Sequence, residues 1–328
     1  MSNVEAEPVA LKCGTAAGDA GAGPGAAVEV LSAREVPLGG PRALLVRRTL
    51  PQRARTLIGA WCFADHYGPV DASGTGMDVP PHPHTGLQTV SWLFSGEIEH
   101  RDSIGTHALV RPGEMNLMTG GHGIAHSEVS TPGTTVLHGV QLWVALPEAH
   151  RHAPRDFQHH VPETVHRDGA EIKVFLGTLA GSTSPVRTFT PLLGAEIVLG
   201  PGAVLTLPVD PAFEHGLLVD SGDVRLSGTA LRPTDLGHLP CGTDTLTVVN
   251  DSATPARTVL LGGPPFEEEI VMWWNFIGRS HEDIVRARED WQAESDRFGE
   301  VEGYPGRRLR APALPNAVIT PRRNPRRP

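Results

Sequence analysis

Residues 80–103 read PPHPHTGLQTVSWLFSGEIEHRDS, and residues 111–130 read RPGEMNLMTGGHGIAHSEVS. Each stretch carries two potential metal ligands at i, i+2: His82 and His84 in the first, His126 and Glu128 in the second. Alternate side chains of an extended strand point to the same face, so each pair presents two donors to one side. Between the pairs, Val90, Trp92 and Phe94 alternate on one face, Ser95-Gly96 marks a turn, and Pro112-Gly113 marks another. The segment therefore reads as hairpin-connected strands that bring both ligand pairs together inside a small barrel. Three neutral imidazoles and one carboxylate can bind Fe, Mn, Ni, Co, Cu or Zn and leave positions open for water, oxygen or substrate. Pro83 cannot donate to a ladder, which favours an edge strand or a strand start at the barrel rim. Gly120, Gly121 and Gly123 suit a tight turn that brings backbone close to the second pair.

The same rhythm extends outward in both directions. Strands are expected in 27–36 and 42–50 around the turn Pro37–Pro41, then at 61–66, 107–119 and 135–146. A polar, histidine-rich linker follows at 147–163, where His150, His152, His159 and His160 read as surface residues. A second block runs from 171 to 265, with short strands about every ten residues and turn signals between them. That spacing indicates sandwiches or barrels rather than βαβ units. The two blocks match in length and rhythm, which suggests a duplicated domain without a strict residue repeat. The second block holds His215 but no HxH or HxE pair, so it is expected to bind no metal. One helix is expected over 281–298, capped by Ser280 with Asp283 closing a capping box. Ile284, Ala287, Arg288 and Trp291 would share its inner side.

Composition agrees with a mainly β protein. The 328 residues suffice for two domains, and 37 glycines and 30 prolines supply frequent turns. The start of the chain lacks a basic segment followed by an apolar core, so no signal peptide is expected. No run approaches the roughly 20 apolar residues of a transmembrane helix. Cys13, Cys62 and Cys241 are odd in number and far apart, which points to a reducing cytoplasm rather than a disulfide framework. The net charge is −9, but residues 305–328 carry seven arginines and no acid, so the remainder stands at −16. Such a body should repel nucleic acid and is not expected to bind it directly. The Pro/Arg-rich end could touch an acidic partner or the protein's own body; a solvated, flexible end is the expectation.

Sixteen histidines make chance HxH pairs common, so the order of parts matters. HxH, strand and hairpin, a Pro-Gly turn and then HxE is the cupin arrangement. PPHPHTG and GIAHSE at this spacing, with HGVQLWVALP at 138–147 and WWNFIGRSHEDIVRAREDW at 273–291, resemble the pirin family over about residues 42–146 and 264–291. The resemblance implies an all-β bicupin: two jelly-roll-type cupin barrels packed together, with one C-terminal helix. Its expected divisions are a disordered 1–27, a metal-binding cupin at 28–147, a linker at 148–170, and a metal-free cupin at 171–265. A helical segment at 266–300 and the basic tail at 301–328 complete them. It also implies iron, as Fe(II), on His82, His84, His126 and Glu128, with Glu128 as ligand or proton acceptor. Gln88 stands where many cupins and pirins have glutamate, and His122 where some pirins have arginine; both are candidate neighbours of the metal ligands. The activity implied is a quercetin 2,3-dioxygenase type of oxidation of a flavonol-like aromatic substrate by O2. The alternative is a redox-sensitive regulator that binds a transcription factor or metabolic enzyme, with no membrane involved in either case.

Overall fold

The computed structural model describes residues 27–37, 45–74 and 76–324; the expected disordered start lies outside them, apart from residue 27. Among the described residues no helix is long and apolar enough to cross a membrane. The chain forms two β-sandwiches, each a seven-stranded sheet with a four-stranded sheet. In the first, the large sheet runs in the order Asp156–His160, Met115–Thr119, Leu87–Ser95, Val136–Ala145, Trp61–Asp71, Leu45–Leu50, Arg34–Pro37. The small sheet runs Asp78–His84, Ile124–Ser130, Ile98–Asp102, His107–Val110. The second sandwich repeats the same seven and four, which makes the expected duplication visible as a bicupin.

The two large sheets pack on each other and are covered on both faces. Strand Trp61–Asp71 is accordingly buried without interruption over its first seven residues, instead of alternating in and out. One apolar cluster crosses the junction, joining Trp61, Trp92 and Leu142 of the first barrel to Phe175, Leu218 and Leu261 of the second. The Trp92 and Phe175 rings lie 4.7 Å apart, and the indole of Trp92 donates to Glu196 Oε2 at 3.1 Å. Trp61 donates across the same junction to the carbonyls of Leu193 and Gly262. Gly59 allows the close approach: a Cβ there would stand 2.7 Å from Gly263 Cα.

Consecutive edge strands are divided between the two barrels, a feature that the sequence boundaries do not contain. Glu29–Ser32 pairs with Asp235–Leu239 in the second barrel, while Arg34–Pro37 pairs with Leu45–Leu50 in the first. The polar linker behaves likewise. Asp156–His160 extends the first large sheet beside Met115–Thr119, and Thr164–Arg167 extends the second beside Ala170–Leu176. These are short, half-exposed edge strands, so they lack the apolar alternation by which a strand is read from sequence.

The helix spans His281–Gln292, with the capping box of Ser280 and Asp283 in place and Ile284, Ala287 and Trp291 buried. It ends six residues earlier than expected. Glu294 takes a left-handed φ of 57°, and Phe298 turns back to meet the Trp291 ring edge-on at 5.4 Å. Arg288 is not core; its Nε donates to the Pro312 carbonyl. The described part of the basic tail is held against the body rather than solvated and free, contrary to the expectation. Tyr304 donates to Asp78, Leu309 N donates to the Pro81 carbonyl, and Asn324 accepts from the amides of Thr56 and Leu57. Ala311 and Ile319 are buried, and Arg308 and Arg323 reach Glu294 and Glu269. A segment spaced with apolar residues thus covers the proline-rich edge strand of the first barrel.

Replacement of Phe175 by alanine should destabilise the chain by about 3–5 kcal/mol in chemical denaturation, as expected for a large aromatic removed from a close-packed junction. A loss below about 1 kcal/mol would mean that the barrels do not depend on this contact.

Candidate metal centre

His82 and His84 lie on the edge strand Asp78–His84, where three prolines withhold ladder donors at no cost to a neighbour. Its partner Ile124–Ser130 runs antiparallel, with His126 directly opposite His82 and Ile124 opposite His84. The register then shifts, so Glu128 faces Val79. This bulge falls at Pro80-Pro81 and re-aims the strand beside the histidines. The imidazoles thereby meet inside the sandwich at steep angles, with ring centroids 4.3 Å (His82–His126), 5.0 Å (His84–His126) and 5.1 Å (His82–His84) apart. The far wall is Trp143, whose ring meets His84 edge-on at 5.3 Å.

One donor atom from each of His82, His84 and His126 falls within 4.8 Å of the others, a set that could hold a metal ion. Glu128 is buried on the same strand but lies outside this set of three. Its charge acts on its neighbours, favouring protonated His82 and opposing ionisation of Tyr67. All four residues are 0–1% exposed. Burial above all keeps the imidazoles neutral, pulling His82 down to about 4 and His84 and His126 well below the usual histidine range. Neutral imidazole is the form that offers a lone pair to a metal.

The hydrogen bonds select which nitrogen offers it. His82 Nδ1 lies 2.9 Å from the Pro80 carbonyl and donates to it, which leaves Nε2 as the lone-pair atom, buried and without a hydrogen-bond partner. His126 Nδ1 lies 3.3 Å from His100 Nδ1, and His100 Nε2 lies 3.1 Å from Asp102 Oδ2. Asp102 Oδ1 accepts from the amides of Ile104 and Thr106. A carboxylate at the end of this chain makes His100 Nε2 a donor, His100 Nδ1 an acceptor and His126 Nδ1 a donor. The Nε2 lone pair of His126 then faces His84 Nε2 at 3.1 Å. Two imidazole nitrogens at that distance, beside an unpartnered third, fit a shared cation, so the residues present suit a metal cofactor.

Sequence reading missed His100 and Asp102. A signal for them existed: strand Ile98–Asp102 alternates buried and half-buried, and the polar His100 and Asp102 occupy the buried phase set by Ile98. Gln88 is fully buried on the opposite sheet, where its Nε2 donates to Thr119 Oγ1 at 3.0 Å. His122 is exposed on the loop before the second ligand strand, its ring 6.3 Å from that of His152. Both line a cavity of about 280 Å³ with Thr85, Gly86, Arg151 and Arg297. Burial first, then Arg297, lowers the affinity of His122 for a proton. His215 is buried in the second barrel and neither ring nitrogen has a hydrogen-bond partner; burial pulls it down to about 4. It belongs to no ligand set among the described residues.

Comparison with known proteins follows the same division into two barrels. The Pirin family matches residues 43–144, and the Pirin C-terminal cupin domain matches residues 194–299. The chain is 43% identical over 288 residues to a Pseudomonas aeruginosa protein named "Putative quercetin 2,3-dioxygenase", covering 87% of this chain and 90% of that one. It is 34% identical over 259 residues to a pirin-like protein of Caulobacter vibrioides, covering 76% and 88%. A solved structure of quercetin 2,3-dioxygenase from Acinetobacter baumannii superposes with a TM-score of 0.84 at 38% identity, covering 89% of this chain and 98% of that one.

Two outcomes are expected. Asp102→Asn should weaken metal binding by about 10- to 100-fold in a competition titration, because His126 loses the chain that orients it. His215→Leu should leave metal content unchanged and make the acid loss of stability shallower. The unfolded state protonates His215 near 6.5 and the folded state near 4, so stability falls as pH drops through that window. Denaturation at several pH values, with metal analysis alongside, reads both effects.

Proposed function

The chain belongs to the pirin family, and from that premise we propose that it is a mononuclear metal-dependent oxidoreductase of the quercetin 2,3-dioxygenase type. The observation that carries this reading is the convergence of His82, His84 and His126 in a chain so similar to proteins of that name. Glu128 is proposed as the fourth ligand and Fe(II) as the ion; a flavonol-like aromatic and O2 are the proposed substrates. When bound, the metal supplies a redox-active Lewis acid with positions open to a chelating substrate and to oxygen.

The chain's own residues would do the rest. His82 holds its lone pair inward through the Pro80 carbonyl and His126 through the His100–Asp102 chain, and His84 Nε2 faces His126 Nε2. The carboxylate of Glu128, on the same strand as His126, would take the proton of a substrate hydroxyl. Complete burial of these groups keeps bulk water from them, which strengthens every charge interaction inside. The cavity beside Thr85, lined by His122, Arg151 and Arg297, suits the anionic form of an enolisable substrate as it approaches. A cytoplasmic setting belongs to the same reading, in which Cys62 and Cys241 stay reduced.

The near-zero exposure of all four candidate ligands also favours a second reading. In it the metal is not turned over but tunes the surface of a regulator that binds a transcription factor or metabolic enzyme. Oxygen uptake by Fe(II)-loaded protein with a flavonol separates the two. Uptake should require the flavonol and fall at least about 100-fold in Glu128→Ala. His84→Ala should purify with most of its metal gone. Full iron occupancy in that variant would sink the proposed site; no uptake with iron in place would favour the regulator.

A further inference from the structure

A second convergence of metal-binding groups lies at the junction of the two barrels, far along the chain from the first. His66 comes from strand Trp61–Asp71, His138 from Val136–Ala145, and Asp220 from Glu214–Ser221 of the other barrel. We propose that His66, His138 and Asp220 form a second site for a borderline divalent cation such as Zn(II) or Ni(II), which clamps the barrels together.

The geometry is that of a ligand set. His66 Nε2 and His138 Nε2 each lie 2.6 Å from the same oxygen, Asp220 Oδ1, and 3.3 Å from each other. Ligands placed about 2.1 Å from one ion stand about 3.0 to 3.4 Å apart. The nitrogen pair already fits that window, and the 2.6 Å contacts to the carboxylate would lengthen by about 0.4 to 0.8 Å. The first centre shows the same signature, His84 Nε2 facing His126 Nε2 at 3.1 Å. Two imidazoles and one carboxylate suit Zn(II) or Ni(II) better than the hard, oxygen-seeking cations.

The backbone is shaped to bring these side chains together. The register between Val136–Ala145 and Trp61–Asp71 shifts between Leu137 and Gly139, where His138 stands opposite two residues, Gly68 and Pro69, of the neighbouring strand. In the other barrel the register shifts between Val219 and Ser221, which leaves Asp220 as the extra residue. Bulges re-aim nearby side chains, and here one in each barrel lies at the common point, opposite His138 in the first and at Asp220 in the second. His66 and Asp220 are buried, while the His138 side chain keeps 11% of its surface. A cavity of about 240 Å³ between the barrels reaches this edge through Phe94, whose ring meets His138 at 4.9 Å, and through Arg257.

The same contacts in metal-free protein are two imidazole N–H groups donating to one carboxylate, with Arg257 at 3.3 Å from Asp220 Oδ2 and Arg47 acting on the same charge. A cation must displace two protons and share the carboxylate with these arginines, so this site is the weaker of the two. Its occupancy would tie folding of one barrel to docking of the other.

Metal-stripped protein titrated with Zn(II), and separately with Ni(II), tests the site, with bound metal counted after gel filtration. Wild type should hold about two equivalents; His84→Ala should lose the tighter one, and His138→Gln or Asp220→Asn the weaker one. Zn(II) should also raise the melting temperature of His84→Ala, and His138→Gln in that background should abolish the rise. His138 sits at the accessible edge, so this variant remains informative if Asp220→Asn does not fold. Equal stoichiometry in wild type and folded His138→Gln overturns the proposal. So does a folded His84→Ala that holds no metal. One equivalent lost with His138→Gln but kept in His84→Ala would support this site and reject the first.

Discussion

Three imidazoles packed between two β-sheets, none more than 1% exposed, are costly to bury unless their polar atoms find partners. Much of the first barrel is arranged around that constraint. Burial removes the proton charge from each ring, and a carbonyl in His82 and a His–Asp chain in His126 fix the remaining proton on Nδ1. What is left over is a set of inward lone pairs. The same demand explains why a buried aspartate, Asp102, is tolerated on an interior strand: two backbone amides and His100 satisfy it.

The ligand strand is an edge strand because it is full of prolines, and an edge strand needs cover. The C-terminal segment meets that need by donating Leu309 N to the Pro81 carbonyl while Trp291 holds the Leu309 carbonyl. Two of the tail's arginines, Arg308 and Arg323, reach acids of the body, so opposite charges of tail and body meet within one molecule. Metal centre, helix and tail are in this sense one construction, each supplying what its neighbour lacks.

The second barrel holds no comparable ligand set of its own among the described residues, yet it is not a bystander. Its large sheet buries the outer face of the first barrel's large sheet, and the N-terminal strand Glu29–Ser32 crosses to pair with it. The polar cluster of His66, His138 and Asp220 lies in this otherwise apolar junction, where an unsatisfied charge would be expensive. Docking of the barrels and satisfaction of that cluster therefore occur together.

Period-two spacing made His82, His84, His126 and Glu128 legible from the chain alone, because a strand carries its facing in consecutive residues. Turn residues and the capping box at Ser280 were legible for the same reason: each is a local rule acting over a few positions. The sequence by itself thus determined a duplicated β architecture, one C-terminal helix and the donor types of the first centre. Only the tertiary structure decided that His100 and Asp102 orient His126, that Glu128 stands apart from the tight histidine set, and that edge strands and tail cross over their neighbours. It alone decided the cluster of His66 with His138 and Asp220, which lie 72 and 154 residues away along the chain. Those contacts depend on bulges, registers and the packing of whole sheets, and no short window of sequence contains them.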